Sequence, residues 1–246
     1  MADTGAAQRR VALVTGASGA LGGELARVLD AEGFSLALHF HQNAEHAERL
    51  REELRHPAIL LGADVRQWEQ AKAAVAEAAE RLGPVDVLVN CAGARADGLM
   101  ATQGPKEWRD VVEVNLFGTF HMCRAAVPQM LRRRWGRIIN VVSPAALVAS
   151  RGQTAYSAAK AGVIGLTRTL ARECGSRGVT VNALSPGFMR TSMTQDVDLE
   201  ENQDLWRRLA VPRETQPSEV AASIGFFLGN PYVTGQTISV DGGISL

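Results

Sequence analysis

Two tyrosines, three cysteines and no surplus of either charge mark what this 246-residue chain has little of. The cysteines, Cys91, Cys123 and Cys174, are odd in number and far apart, with no C-x-x-C pair and no Cys/His cluster at metal-ligand spacing. That excludes a disulfide framework and a zinc site, and predicts buried thiols in a reducing compartment. Lys plus Arg, at 26, equals Asp plus Glu, at 26, so nothing global recruits nucleic acid or an anionic membrane. Long hydrophobic runs are missing too. The small polar stretch Met1–Arg10 leads straight into Val11-Ala12-Leu13-Val14, which is too short for a signal sequence or a membrane span. The expectation is a cytoplasmic protein with neither a metal nor a membrane partner.

What the chain does have is apolar material, 46% of its residues, in an ordered pattern. Short apolar runs at Arg10–Thr15, Ser35–Phe40, Ala58–Leu61, Val85–Asn90, Gly136–Val142, Val179–Leu184 and Thr237–Val240 predict strands. Most are continuously apolar, as parallel strands covered on both faces require. Helical periodicity fills the gaps at Leu21–Glu32, Ala44–Arg55, Gln67–Leu82, Trp108–Arg133 and Thr154–Cys174. This alternation predicts an α/β fold of three layers, a Rossmann-type, doubly wound, seven-stranded parallel sheet. Residues 1–246 read as one domain without repeat or linker. Only Phe188–Gln216 lacks a clear pattern, and a loop that long in a compact domain is expected to be a lid over a substrate. Gly162 and Gly165 should weaken the Thr154–Cys174 helix unless another backbone packs close.

Directly after the first strand comes Thr15-Gly16-Ala17-Ser18-Gly19-Ala20-Leu21-Gly22-Gly23, and then a helix. Glycines there allow a tight turn and bring backbone N–H groups close to a pyrophosphate, whose charge a helix N-terminus stabilises. In this order, Thr15–Gly22, Asn90-Cys91-Ala92-Gly93 and Tyr156-Ser157-Ala158-Ala159-Lys160 resemble the short-chain dehydrogenase/reductase family across essentially the whole chain. One departure is that the family's middle glycine falls on Ala20, with Gly19 before it, which predicts a slightly altered turn and retained binding.

The resemblance implies a nicotinamide cofactor held by Gly16, Ser18, Gly19, Ala20, Leu21 and Gly22. It adds Asp64 and Val65 at the adenine, then Asn90, Ala92 and Gly93 at the end of the fourth strand. It further implies that Pro186, Gly187, Met189 and Thr191 hold the carboxamide, and that Tyr156 and Lys160 contact the cofactor. For Asn90, a strand-end residue bonded to its neighbours is an equally compatible reading. An acid at the end of the second strand would repel a 2′-phosphate, and here His41, Gln42 and Asn43 stand instead, which favours NADP(H). As a competing possibility, these three are solvated loop residues.

Reducing a carbonyl needs a hydride donor, a proton donor and a group that polarises the oxygen. A free tyrosine, with a pKa near ~10, exchanges its proton poorly at neutrality, and a lysine one helical turn away would lower that value. Tyr156 and Lys160 have this i, i+4 spacing. Ser143, at the end of a strand, would orient the substrate oxygen; its bland alternative is a turn residue before Pro144. The family resemblance adds Asn115 as a fourth member, an unfavourable mid-helix residue whose carbonyl helps hold a water near Lys160.

Within that family the chain looks most like the reductases of 3-oxoacyl groups on acyl-carrier protein. The expectation is NADPH-dependent reduction of a 3-oxoacyl thioester by a homotetramer. Its interfaces would run through the Trp108–Arg133 and Thr154–Cys174 helices and near an apolar, buried C-terminus. Arg134 and Arg177 match positions that would dock the acidic carrier beside the active-site mouth; as a plainer reading, they are solvated helix-end charges. Reduction or oxidation of a free small ketone, sugar or steroid-like alcohol is the alternative enzyme. A catalytically idle NADP-binding sensor or scaffold is the alternative class.

Overall fold

The computed structural model describes residues 9–195 and 203–246, with the backbone alone for residues 203–205. Seven strands form one sheet in the order β3-β2-β1-β4-β5-β6-β7. They are β1 Val11–Thr15, β2 Ser35–Phe40, β3 Ala58–Gly62, β4 Val85–Asn90, β5 Gly136–Val141, β6 Val179–Pro186 and β7 Thr237–Val240. Every neighbouring pair is parallel. The order reverses beside β1, and ligands bind such sheets at that reversal, beyond the carboxyl ends of the strands.

Alternation within the strands explains the two covered faces. Leu13, Ala37, Leu88 and Ile138 point to one side, where α3 (Trp68–Arg81), α5 (Gly118–Arg133) and α6 (Thr154–Cys174) cover them. Ala12, Val14, Leu36, Leu38, Val87 and Ile139 point to the other side. There they meet α1 (Ala20–Ala31), α2 (Ala44–Glu53), α8 (Pro217–Ala222) and α9 (Ile224–Gly229). Burying both faces removes the polar alternation that a half-exposed strand would show, which is why these strands read as continuous apolar runs.

The structure departs from the sequence expectations in several places. The helix expected over Trp108–Arg133 begins earlier, as α4 (Pro105–Val112), and passes through a π-turn, Glu113–Phe117, before α5. Gly104 and Pro105 start it, with the Glu107 carboxylate accepting from the Gly104 N–H. Phe188–Gln216 is not patternless, since it contains α7 (Gln203–Arg208). Its two legs are tied at the base, where the Thr215 N–H donates to the Phe188 carbonyl at 2.8 Å and Arg190 pairs with Glu214 at 3.1 Å. The rest of that expected lid, residues 196–202, lies outside the described residues, as do residues 1–8. Gly162 faces the Leu116 side chain rather than a backbone, and a Cβ at Gly165 would meet nothing. Of the tail expected to be buried, Asp241 and Ile244 are buried while Leu246 is fully exposed, and β7 is an edge strand. Among the described residues no helix is long and apolar enough to cross a membrane, and no cluster of three or more acidic, histidine or cysteine side chains could hold a metal.

Candidate active site

A cleft of about 1140 Å³ opens at the carboxyl ends of the strands, on the order reversal. Its floor is the turn between β1 and α1. Gly16 has φ +66°, a conformation that a Cβ would strain, and a Cβ on Gly22 would collide with the Gly16 carbonyl oxygen. Gly19 has φ −86°, with room for a Cβ only 3.3 Å from the Gly16 carbonyl oxygen, whereas Ala20 is exposed at the head of α1 and does not require glycine. The Ala20 departure therefore costs the turn little. No side chain caps α1 and no acid stands in its first turn, leaving its N-terminus suited to an anion. These features fit a dinucleotide pyrophosphate.

Two side chains brace the turn from below. The Thr15 hydroxyl accepts the N–H groups of Cys91 and Ala92, each at 3.0 Å, tying β1 to the end of β4. His39, buried in β2, accepts the Gly16 N–H on Nδ1 at 3.3 Å and donates from Nε2 to the Ala63 carbonyl at 3.0 Å. Burial pushes this imidazole down to about 4, so it stays neutral and keeps that tautomer. A lone polar side chain inside an apolar strand was the available signal for it.

Most of the sequence-predicted cofactor residues line the cleft: Gly16, Ser18, Gly19, Ala20, Leu21, Gly22, His41, Gln42, Asn43, Asp64, Val65, Ala92, Gly93, Tyr156, Lys160, Pro186, Met189 and Thr191. Two do not. Asn90 turns into the interior, its Nδ2 donating to Asn140 Oδ1 at 2.8 Å and lying 3.3 Å from Cys123 Sγ, because strand alternation directs it to the face that α5 covers. Gly187 is buried against the backbone of Asp241, where a side chain would overlap it. Both are scaffold positions. The Asp64 carboxylate already accepts from Arg66 at 2.7 Å, and His41 lies 3.9 Å from it. Residues missed by the sequence reading also line the cleft: Cys91, Ala94, His46, Arg49, Met193 and the segment Gln216–Ser218. Of the cysteines expected to be buried, Cys91 is partly exposed here, although burial by its neighbours pushes the thiol up to about 11.

At the inner end of the cleft, α6, the π-turn and the end of β5 converge. Tyr156 and Lys160 stand one turn apart on α6, with the ammonium 5.6 Å from the ring centre. Lys160 Nζ donates to the Val141 carbonyl at 2.9 Å, and burial pushes it down to about 8. Asn115 is wholly buried in the π-turn, its Nδ2 donating to the carbonyls of Ala94, at 2.7 Å, and Val111, at 2.8 Å. The wide π-turn frees the Val111 carbonyl for that second bond. Asn115 Oδ1 has no partner, and a Cβ on Gly93 would lie 2.8 Å from it and 3.7 Å from Lys160 Nζ. The Ser143 hydroxyl lies by Tyr156, where it favours the phenolate, and accepts the Ala145 N–H at 3.2 Å.

The expected lowering of the tyrosine is reversed in this structure. Burial dominates and pushes Tyr156 up to about 12, against the lowering effects of the Ser143 hydrogen bond and the Arg95 charge. Through the neutral range the phenol therefore keeps its proton and can donate it.

Arg134 and Arg177 are corrected in place. Arg134 precedes the first residue of β5 and Arg177 precedes β6, whereas Ser143 follows the far end of β5. A strand of this length spans roughly 20 Å. Within one chain, both arginines stand at the amino ends of β5 and β6, opposite the strand ends that open on the mouth.

A proton donor, a hydroxyl that can hold a carbonyl oxygen and a buried cation, all at the inner end of a dinucleotide cleft, suit one chemistry. This is a nicotinamide-dependent oxidoreductase acting on a carbonyl–alcohol pair. Residues 10–202 match the short chain dehydrogenase family. The chain is 40% identical over 238 residues to the 3-oxoacyl-[acyl-carrier-protein] reductase FabG of Staphylococcus aureus, covering 95% of this chain and 97% of that protein. It is 41% identical over 239 residues to nodulation protein G of Rhizobium meliloti, covering 96% and 97%. The chain belongs to the short chain dehydrogenase family.

Proposed function

We propose that this protein reduces a 3-oxoacyl thioester, carried on acyl-carrier protein, to the 3-hydroxyacyl form, with NADPH as the reductant. The observation that carries the reading is Tyr156 and Lys160 together at the inner end of the cleft, with Ser143 beside the phenol. The substrate class draws its support from the FabG of Staphylococcus aureus, and NADPH from the missing acid after β2.

In this reading the substrate oxygen sits between the Ser143 and Tyr156 hydroxyls. A nicotinamide held by Pro186, Met189 and Thr191 would supply the hydride for the carbonyl carbon. Tyr156 donates its phenolic proton to the oxygen as charge develops there, giving the alcohol. Ser143 orients that oxygen. Lys160, cationic in its buried seat, stabilises the phenolate left behind and contacts the cofactor. Asn115 holds Ala94 and Val111 with its amide and keeps Oδ1 as an acceptor facing the Lys160 region. Gly16, Ser18, Gly19, Ala20, Leu21 and Gly22 hold the pyrophosphate, and His41, Gln42 and Asn43 meet the 2′-phosphate. Asp64 and Val65 would hold the adenine and Pro186, Met189 and Thr191 the carboxamide, with Ala92 and Gly93 at the end of β4 as further cofactor contacts.

Residues 1–246 act as one cytoplasmic domain, with Phe188–Gln216 as the substrate lid. The working form is a homotetramer. Phe117 and Phe120, each nearly half exposed on the outer side of the α4–α5 segment, support an interface there. Carrier docking on Arg134 and Arg177 is retained as part of this reading. It then serves a mouth other than the one in the same chain.

The test is NADPH oxidation with a short 3-oxoacyl thioester against a panel of free ketones and sugars. The thioester is expected to give the higher kcat/KM. A free ketone turned over faster would replace the substrate assignment and leave the chemistry standing.

A further inference from the structure

One imidazole ties the cofactor turn to the strand beneath it. Among the described residues, His39 is the only side chain that bonds a backbone group of residues 16–22. Its Nδ1 accepts the Gly16 N–H at 3.3 Å, and its own carbonyl accepts the Ala17 N–H at 2.9 Å. The Gly19 N–H then closes on the Gly16 carbonyl at 3.0 Å, which leaves the first amides of α1 for an anion. On the other side of the ring, Nε2 donates to the Ala63 carbonyl at 3.0 Å. Ala63 is itself held, since its N–H donates to the Phe40 carbonyl at 3.0 Å. The two partners dictate the tautomer. An amide can only donate and a carbonyl can only accept, so Nδ1 must be bare and Nε2 protonated.

We propose that His39 is a positioning residue for the dinucleotide: the Ala63 carbonyl fixes its tautomer, the bare Nδ1 holds the Gly16 N–H, and the turn is thereby kept in the shape that receives the pyrophosphate. This rests on the reading of the cleft as an NADPH site. The physical reason is a conformational cost. Gly16 sits at φ +66°, and its N–H needs an acceptor once a ligand covers the turn. Without Nδ1 the amide finds water by opening the turn. The cofactor must then close it again, and affinity falls by the fraction that is closed. The two bonds therefore differ in kind: the one to Gly16 acts on the cofactor, the one to Ala63 acts on the imidazole. His39 is 1% exposed, and burial pushes it down to about 4, with His41 adding to that and Asp64, paired with Arg66, opposing it. A protonated Nδ1 cannot accept, so the brace stays whole through the neutral range.

Two substitutions divide the imidazole between them. The amide of asparagine ends near the place of Nδ1, and that of glutamine near the place of Nε2. His39→Asn therefore keeps an acceptor for Gly16, and His39→Gln keeps a donor for Ala63. In fluorescence titrations, His39→Gln should raise the Kd for NADPH about tenfold, the scale of one buried amide left without a partner, while His39→Asn stays within about threefold of wild type. At saturating NADPH kcat should be unchanged in both, because neither touches Ser143, Tyr156 or Lys160. Each variant gives up one bond, so a purely structural His39 would cost both the same affinity, in step with their melting temperatures. That result overturns the proposal. A second readout uses the wild-type protein. Among its five histidines, the ¹⁵N signals lost in His39→Asn belong to His39. They should show a bare Nδ1 and a protonated Nε2 between roughly pH 5.5 and 8, with and without NADPH. The opposite tautomer, or a titration step in that range, also overturns it. Should His39→Gln fail to fold, the tautomer and the threefold limit on His39→Asn decide the matter. Wild-type binding separates the two readings. If NADPH does not saturate the wild-type protein, the cofactor reading falls; if it does and both variants weaken alike, only the role of His39 does.

Discussion

At the inner end of the cleft Lys160 is 3% exposed and Asn115 is wholly buried, while at the outer end His41, Gln42 and Asn43 all stand in solvent. The same cofactor would touch both. Inside, burial moves Tyr156 up to about 12 and Lys160 down to about 8, and each polar contact acts with little screening. Outside, charge is diluted by water and salt over about 8–10 Å. The comparison teaches that chemistry is concentrated where solvent is excluded, and that the open end discriminates between cofactors by modest, adjustable energies.

The largest effect should come from the buried end. Tyr156→Phe keeps the ring and removes the proton, so turnover should fall roughly 10²–10⁴-fold in a steady-state assay. NADPH binding, followed by its fluorescence, should survive. Preserved turnover would place the proton donor elsewhere and erase the contrast.

Between the two ends, Gly22→Ala tests the floor. The added methyl group collides with the Gly16 carbonyl oxygen, which cannot move without opening the turn. Overpacking of this kind costs about 1–3 kcal/mol, so NADPH affinity should drop roughly tenfold or more by fluorescence titration. An unchanged affinity would mean that the turn is looser than its geometry shows.

The smallest effect belongs to the exposed end. His41→Asp adds a carboxylate where the 2′-phosphate is expected, and exposed charge pairs are worth about 1 kcal/mol or less. KM for NADPH should rise about threefold to fivefold, with KM for NADH unchanged, and added salt should shrink the difference. A wild-type enzyme that prefers NADH would show that the loop after β2 was misread.

How much of this was legible in the sequence varies residue by residue. The alternation of apolar strands and periodic helices predicted the seven-stranded sheet, because strands buried on both faces must be apolar throughout. Tyr156, Lys160 and the glycine turn were legible because their spacing is local: one helical turn, or one tight loop, brings them together without help from the rest of the chain. Asn115 was legible as an anomaly, a polar residue inside a helix, but the π-turn that accommodates it was not.

What only the tertiary structure decided depends on distance and solvent. Asn90 reads equally as a ligand contact and as a strand end bonded to its neighbours, and its side chain turns inward to Asn140. His39 reads as a lone polar residue in an apolar strand, yet it braces the Gly16 turn and bonds the Ala63 carbonyl just past β3. Arg134 and Arg177 read as neighbours of the mouth, yet the length of β5 and β6 separates them from it within the chain. The direction of the Tyr156 shift was undecidable from an i, i+4 pair, since the lysine's charge is a local fact and burial is not. Sequence spacing determines which side chains can meet. Which of them are then dried, paired or turned away follows from packing against elements far along the chain, and here that packing decides the electrostatics.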